Sequence, residues 1–427
     1  MKITPFQAVV LAIFAVATLS GVILLTVSKG PSGRGNNLPV VIWGTMPSAS
    51  FIDAINDITQ GNSGFKIDYL EKRPESFDRD LIEAIASGVG PDAILLPQDL
   101  IMRYRDKISL LPYTSMPLPV FKDTFIQESE LYLDNGGIIA LPFSVDPLVM
   151  YWNRDLLTNA GVSLPPKYWN EFLTLVPRLT VKDKNLNILK SGVSLGEFRN
   201  ITNAKEIIAT FLMQTGNPLT SLGANGLEQR LSPGTLDTIG AINFYTDFAN
   251  SVKPNYSWNR ALSNSRDVFA AGDLAFYFGF ASEISKIRDK NPNLNFDVTF
   301  FPQPKGASVA LTFGRMQGLA VLRTSKNSVG AFQAVSAITG SGPISRLSKS
   351  TGLPPVLRSM LVANPGDPYQ SIFYNSAIRS RGWLDPNPAL SQTVFQNMIE
   401  SITGGEAEAS KAIDAAGRNL SAISRGL

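Results

Sequence analysis

The 427-residue chain contains no cysteine and no histidine. Without Cys there is no disulfide, no thiolate nucleophile and no thiolate metal site. Without His there is no Ser-His-Asp triad and no imidazole ligand for zinc. An oxygen-ligated Ca²⁺ stays open, because carboxylates and carbonyls alone can hold it; no other metal and no cofactor is expected. Charge is also scarce, at 17% of residues, and nearly balanced at 38 basic against 35 acidic, a net +3. The basic residues are scattered, so no nucleic-acid footprint is present. The Gly-rich stretch 30–35 is not followed by Gly-Lys-Ser/Thr, which excludes a phosphate loop. The chain has no internal repeat, and the tripeptides that match glycosylation sequons at Asn200, Asn255 and Asn419 read as chance.

What is present is hydrophobic sequence, at 44%. That is enough for a large core, and the length predicts two domains. Residues 6–28 form a 23-residue run without a charge. As a helix this run would reach roughly 34 Å, enough for a ~30 Å hydrocarbon layer. An uncleaved N-terminal anchor over residues 1–29 is the expectation, with a cleaved signal peptide as the competitor. Residues 30–39, rich in Gly, Pro, Ser and Asn, read as a flexible tether.

Strands are predicted at 40–43, 66–70, 92–96, 274–278, 296–301 and 318–322 from apolar runs or period-two alternation. Helices are predicted at 80–87, at 169–176 from the spacing of Trp169, Phe172, Leu173 and Val176, over most of 207–251, at 328–338 and at 406–423. Helices alternating with short apolar strands predict α/β layers around a largely parallel sheet. The most telling stretch is 138–172. There one strand ends in Leu141-Pro142-Phe143-Ser144, a second runs from Pro147 to Trp152, and helical sequence follows.

Several segments, in order, carry a resemblance. They are Trp43-Gly44-Thr45-Met46, Gly88-Val89-Gly90-Pro91-Asp92 leading into Pro97-Gln98-Asp99, and the stretch 138–172. After these come Phe269-Ala270-Ala271-Gly272-Asp273-Leu274-Ala275, Gly279-Phe280-Ala281-Ser282 and Phe301-Pro302-Gln303-Pro304-Lys305-Gly306. Together they resemble the bacterial extracellular solute-binding proteins, in the branch of the sugar receptors of ABC importers. No one piece is specific; their order and spacing are. The resemblance implies an α/β, two-lobed, periplasmic-binding-protein-like fold of type II, with a ligand cleft between lobes and three crossings near 141–147, 314–319 and 352–356. It implies lobe segments at 40–143, 144–314, 315–353 and 354–427. It also implies a monomeric, non-enzymatic receptor outside the membrane, binding a mono- or oligosaccharide and docking on an ABC permease. A polyol, polyamine or peptide ligand is the alternative, and a glycosidase using Asp99 and Asp146 the less favoured one.

The resemblance and the chemistry of sugars nominate the site. Hydroxyls want polar partners and C–H faces want rings. Asp99 and Asp146 take the polar role; Asp99 reads equally as a helix N-cap, whereas an idle charge at Asp146 inside an apolar run would be costly. Trp43 is either core or a ring lining the cleft, next to Thr45 and Met46; Pro97 and Gln98 flank Asp99. Phe280 and Ser282 follow a strand end, and Trp383 lies in a turn-rich segment. Gln214 and Asn217 are second-lobe candidates or solvated helix ends, and Arg315 and Gln317 flank the second crossing. The acidic-basic pair that maltodextrin receptors carry after the first strand is Pro47-Ser48 here, and their aromatic before Pro97 is Leu96. Maltodextrin itself is therefore not the expected ligand.

Overall fold

The computed structural model describes residues 39–60, 66–223, 226–234 and 237–425. The proposed anchor and nearly all of the tether lie outside this range. Among the described residues no helix is long and apolar enough to cross a membrane.

One mixed ten-stranded sheet runs through the molecule. Val40–Gly44 pairs in parallel with Ile67–Glu71 on one side and Ala93–Pro97 on the other. Ala93–Pro97 then pairs antiparallel with Thr312–Val321, and that strand pairs antiparallel with Leu141–Asn153. Leu141–Asn153 continues outward to Leu274–Phe280, Ile188–Val193 and Val181–Lys182. The sheet is less parallel than the sequence predicts, because its two longest strands enter it antiparallel.

Those two strands explain the architecture. Leu141–Asn153 is a single 13-residue strand, where the sequence predicts two strands broken between Ser144 and Pro147. Its prolines are accommodated without a break. The register against the partner strand shifts between Gln317 and Gly318, so that Gln317 faces Ser144 and Gly318 faces Pro142. This bulge leaves Phe143 out of the ladder, and bulges are where strands tolerate Pro. Likewise the strand expected at 318–322 begins at Thr312.

Two separate hydrophobic cores flank the sheet. The first gathers Ile42, Phe51, Leu95, Tyr104, Tyr132, Phe143 and Val145. The second gathers Leu148, Tyr151, Trp169, Phe211, Trp258, Phe276 and Phe395. Its centre is aromatic: Trp169 stacks on Phe211 at 4.3 Å and meets Phe301 edge-on at 5.2 Å. Core membership changes between Val145 and Leu148 on one long strand and between Phe313 and Met316 on the other. Both strands thus pass from one lobe into the other.

The C-terminal changeover falls later than residue 354. Val356, Leu357 and Leu361 still belong to the first core, tied there by Ile126 donating to the Val356 carbonyl at 3.0 Å. The next helix, Pro368–Arg379, straddles the two, with Phe373 in the second core and Ala377 in the first. Other departures are local. The helix predicted at 80–87 starts at Pro74, where a Pro at the first turn suits the N-terminus. The expected helical stretch 207–251 resolves into helices Ala204–Gln214 and Thr238–Asp247, with a hairpin of Thr220–Gly223 and Gly226–Gln229 between them.

Candidate functional site

The changeover point is also where charged side chains meet. Arg315 and Asp146 are direct partners in the ladder between the two long strands. Arg315 is closely surrounded by protein, yet 47% of its side chain remains open, which is the position of a residue on a cleft wall. Its guanidinium donates to Glu206 at 2.7 Å and to the Asn203 side chain at 3.2 Å, and lies 3.8 Å over the Phe280 ring. Burial would raise the Glu206 carboxyl, but Arg315 and Lys205 outweigh it and hold the group below the usual carboxylate range.

Asp146 accepts from the Ser282 backbone N–H at 3.0 Å, at the start of helix Glu283–Lys290. That helix end favours an anion. Even so, burial dominates and pushes the Asp146 carboxyl up to about 6, with Ser282 and Arg315 pulling it back. Asn203 joins the two halves of this network. It adopts a left-handed conformation (φ 61°), which Asn tolerates. From there its amide donates to Glu283 at 2.8 Å while its oxygen accepts from Arg315.

Below Arg315 a cavity of about 150 Å³ opens between the lobes. Pro97, Gln98 and Asp99 line it from the end of a first-lobe strand, and Phe313, Arg315, Met316 and Gln317 from the crossing strand. Lys205, Glu206, Trp383 and Asp385 close it from the other side. A second cavity of about 360 Å³ shares Glu206 and Arg315 and extends along Arg199, Asn203, Gln392 and Gln396. The two adjoin at Glu206 and Arg315, the outer one mainly polar and the inner one mixed, with Pro97, Phe313, Met316 and Trp383 among its walls.

Asp99 has no hydrogen bond and no ion pair among the described residues, and its carboxyl is raised, chiefly by burial. It lies within a short 3-10 turn, Gln98–Leu100, and caps nothing there. Gln98 is committed elsewhere: its amide donates to the Gly314 carbonyl at 2.7 Å and its oxygen accepts from Met316 N–H at 3.0 Å. It therefore pins the crossing strand to the first lobe.

The structure thus brings Pro97, Gln98, Asp99, Arg315, Gln317 and Trp383 to one cavity, with Asp146, Phe280 and Ser282 adjoining it through Arg315. Phe280 itself is fully buried and covered by the guanidinium, so its ring does not form a cleft lip. Trp383 is 5% exposed and packs on Phe395. Trp43, Thr45 and Met46 line neither cavity. Lys72 lies 3.7 Å over the Trp43 ring, and the Met46 carbonyl accepts from Tyr69. Gln214 accepts from the Trp169 indole at 2.7 Å and donates to the Pro302 and Leu311 carbonyls. Asn217 donates to Thr215 and Thr238. Both serve the second lobe's own packing and lie away from the cavities. Among the described residues no group of three or more acidic side chains is arranged to hold a metal ion.

The sequence reading missed Lys205, Glu206, Asn203 and Asp385. Lys205 Nζ donates to Asp385 at 2.9 Å, to Ser391 at 3.3 Å and to the Pro388 carbonyl at 3.4 Å. A signal was available: Lys205, Ile208 and Leu212 share one face of helix Ala204–Gln214, so the Lys sits among buried apolar residues. A Lys there needs a carboxylate. Truncating it would leave Asp385, 2% exposed, without its cation. Lys205→Met is expected to cost about 3 kcal/mol or more in urea unfolding, because one partner of a buried pair is removed. A loss below about 1 kcal/mol would mean that the pair is solvated.

The profile of the bacterial extracellular solute-binding protein family matches residues 45–343, most of the chain. The chain belongs to that family. A "Probable ABC transporter-binding protein" of Deinococcus radiodurans is 26% identical over 235 residues, 53% of each chain. The chain spans about half the length of the curated relatives it matches. Among solved structures, a cyclic alpha-maltosyl-1,6-maltose binding protein from Arthrobacter globiformis superposes with a TM-score of 0.74 at 18% identity, covering 91% of this chain and all of the other. A Mycobacterium tuberculosis protein in complex with glycerophosphocholine gives 0.71 at 17%, covering 92% and 98%. At such identities these likenesses establish the two-lobed fold.

Proposed function

We propose that this protein is a receptor that captures a small polyhydroxylated solute, a mono- or oligosaccharide in the first instance, for an ABC importer, and releases it unaltered. The observation that carries the reading is the cavity lined from both lobes. A solute seated there touches the two halves only when they are together, so its binding energy favours the closed arrangement. The permease would then recognise that closed form. Asp99, Arg315, Gln317 and Trp383, with the newly found Glu206 and Asn203, are the contacts this reading uses. Asp146 is engaged by Ser282 N–H and faced by Arg315. The family match, to solute-binding proteins, favours binding without turnover.

In this reading one lobe comprises 40–143 and 315–361 and the other 144–314 with most of the chain after 361. The apolar run 6–28 anchors a monomer to the membrane, and the tether keeps the bulk outside and near its permease, which raises the local concentration. Similar structures hold maltotetraose or glycerophosphocholine, which brackets sugars and polyol derivatives.

The test is a thermal-shift screen of the full chain in detergent against sugars, polyols, polyamines and peptides. A ligand at ~100 times its dissociation constant adds ~2.7 kcal/mol of stability. Stabilisation by a sugar or polyol, with the compound recovered intact, is expected. Stabilisation by peptides or polyamines alone, or recovery of a cleaved product, would sink the proposal.

A further inference from the structure

The charges around the cavity do not balance. Three carboxylates, Asp99, Glu206 and Asp385, line it with two cations, Lys205 and Arg315. Each cation is already taken. Lys205 directs its ammonium to Asp385, Ser391 and the Pro388 carbonyl, which accounts for all three of its protons. Arg315 is held by Glu206 and Asn203, with Asp146 opposite it in the ladder. In the adjoining cavity Arg199 is bound at two points by Glu400, at 2.6 and 2.9 Å. What remains is Asp99, half-buried, lining the cavity and without a hydrogen bond or ion pair among the described residues.

An unpaired carboxylate partly withdrawn from water carries a cost, which a cation or several good donors recover. Lys205 and Arg315 act on Asp99 only from a distance, each paired elsewhere, so a direct cation is left for the solute to bring. An anionic solute would meet the reverse situation. It would find each lining cation already occupied and a second negative charge close by, with little water between to screen it. Neutral amides also line it, Gln317 in the inner cavity and Asn203, Gln392 and Gln396 in the outer one, beside the apolar Pro97, Phe313, Met316 and Trp383. Each amide both donates and accepts, which suits hydroxyl groups.

We infer that the cleft selects a polyhydroxylated solute bearing a protonated amine, an amino sugar or aminocyclitol, whose ammonium pairs with Asp99, and that it rejects phosphorylated and carboxylated analogues. This deepens the receptor reading and rests on it. It also separates the protein from a receptor for a bare polyamine, because only one lining carboxylate is unpaired while amides and the Phe313 and Trp383 rings suit the hydroxyls and C–H faces of a sugar.

The experiment is a matched array measured by calorimetry and thermal shift on the full chain in detergent. Each mono- and disaccharide or cyclitol scaffold is presented with one position as amine, acetamide, hydroxyl or phosphate. On any scaffold that binds, the amine should bind at least about ten-fold tighter than the acetamide or hydroxyl, and the phosphate should not bind. Asp99→Asn should erase the amine preference. If that variant does not fold, the comparison of amine with acetamide on the unaltered protein still decides. Binding of neutral scaffolds without an amine preference, or a preference for the phosphate, overturns this inference and leaves the receptor reading standing. No binding by any scaffold in any form overturns both.

Discussion

Replacing Glu128 by Gln should raise the melting temperature at pH 8.5 by about 5 °C or more and change it little at pH 4.5, because the wild-type carboxyl is ionised only at a large cost. Glu128 is 2% exposed, and neither of its carboxylate oxygens has a hydrogen-bond partner among the described residues. Burial pushes its carboxyl up to about 8, with the Arg381 guanidinium and the Gln98 amide offsetting part of the effect. Such a group is protonated in the folded protein at neutral pH while its unfolded counterpart is ionised. The folded state therefore holds the extra proton, and stability falls as pH rises from the ordinary glutamate range toward 8. Below that range both states are protonated and the full stability is present; above about 8 the loss levels off. The shift corresponds to several kcal/mol over the window. Gln keeps the shape and cannot ionise. Melting curves of the two proteins at pH 4.5, 7 and 8.5 check this, and parallel pH profiles would rule it out.

The second large effect is expected at Gly314, on the crossing strand above Glu128. A Cβ placed there would collide with both Glu128 carboxylate oxygens. The Gly314 carbonyl is also fixed by Gln98, so the strand cannot simply slide away. Gly314→Ala should destabilise by about 3 kcal/mol, the upper end of ordinary overpacking. Glu128→Ala in the same chain should recover most of that loss, so the two substitutions should be strongly non-additive. Urea unfolding of the single and double variants measures the coupling. Additive losses would place the strain at Gly314 elsewhere than Glu128.

Much of the fold was legible because its signals are local. The helix Ser328–Ile338 matches the sequence expectation residue for residue, and the strands at 40–44, 67–71 and 93–97 lie within a residue of it. The long strand Leu141–Asn153 was read as two because Pro normally ends a ladder. The bulge that admits Pro142 depends on the partner strand's register, which no local window contains. The hairpin between the two helices of 204–247 was read as helix because its apolar residues show no clean alternation.

The cavity lining was legible where the resemblance or the local chain gave a position: Asp99 after a strand end, Arg315 and Gln317 flanking the second crossing, Trp383 in a turn-rich segment. Lys205 and Asp385 are 180 residues apart and meet only through tertiary packing, so spacing gives no hint of the pair. Trp43 and Phe280 show a different limit. Position alone suggested rings free to stack on a ligand, whereas Lys72 and Arg315 already cover them. Which face of a ring is taken is settled by a side chain distant in sequence.

The unbroken strand from Leu141 to Asn153 has a mechanical corollary. Hydrogen-bonded over Leu141–Pro147 to a second continuous strand over 314–319, it forms a ribbon shared by both lobes. Any parting of the halves must flex that ribbon about its bulge. The resting gape is therefore in part an elastic property of the molecule, set by the stiffness of these two strands and of helix Pro368–Arg379, which also joins the halves.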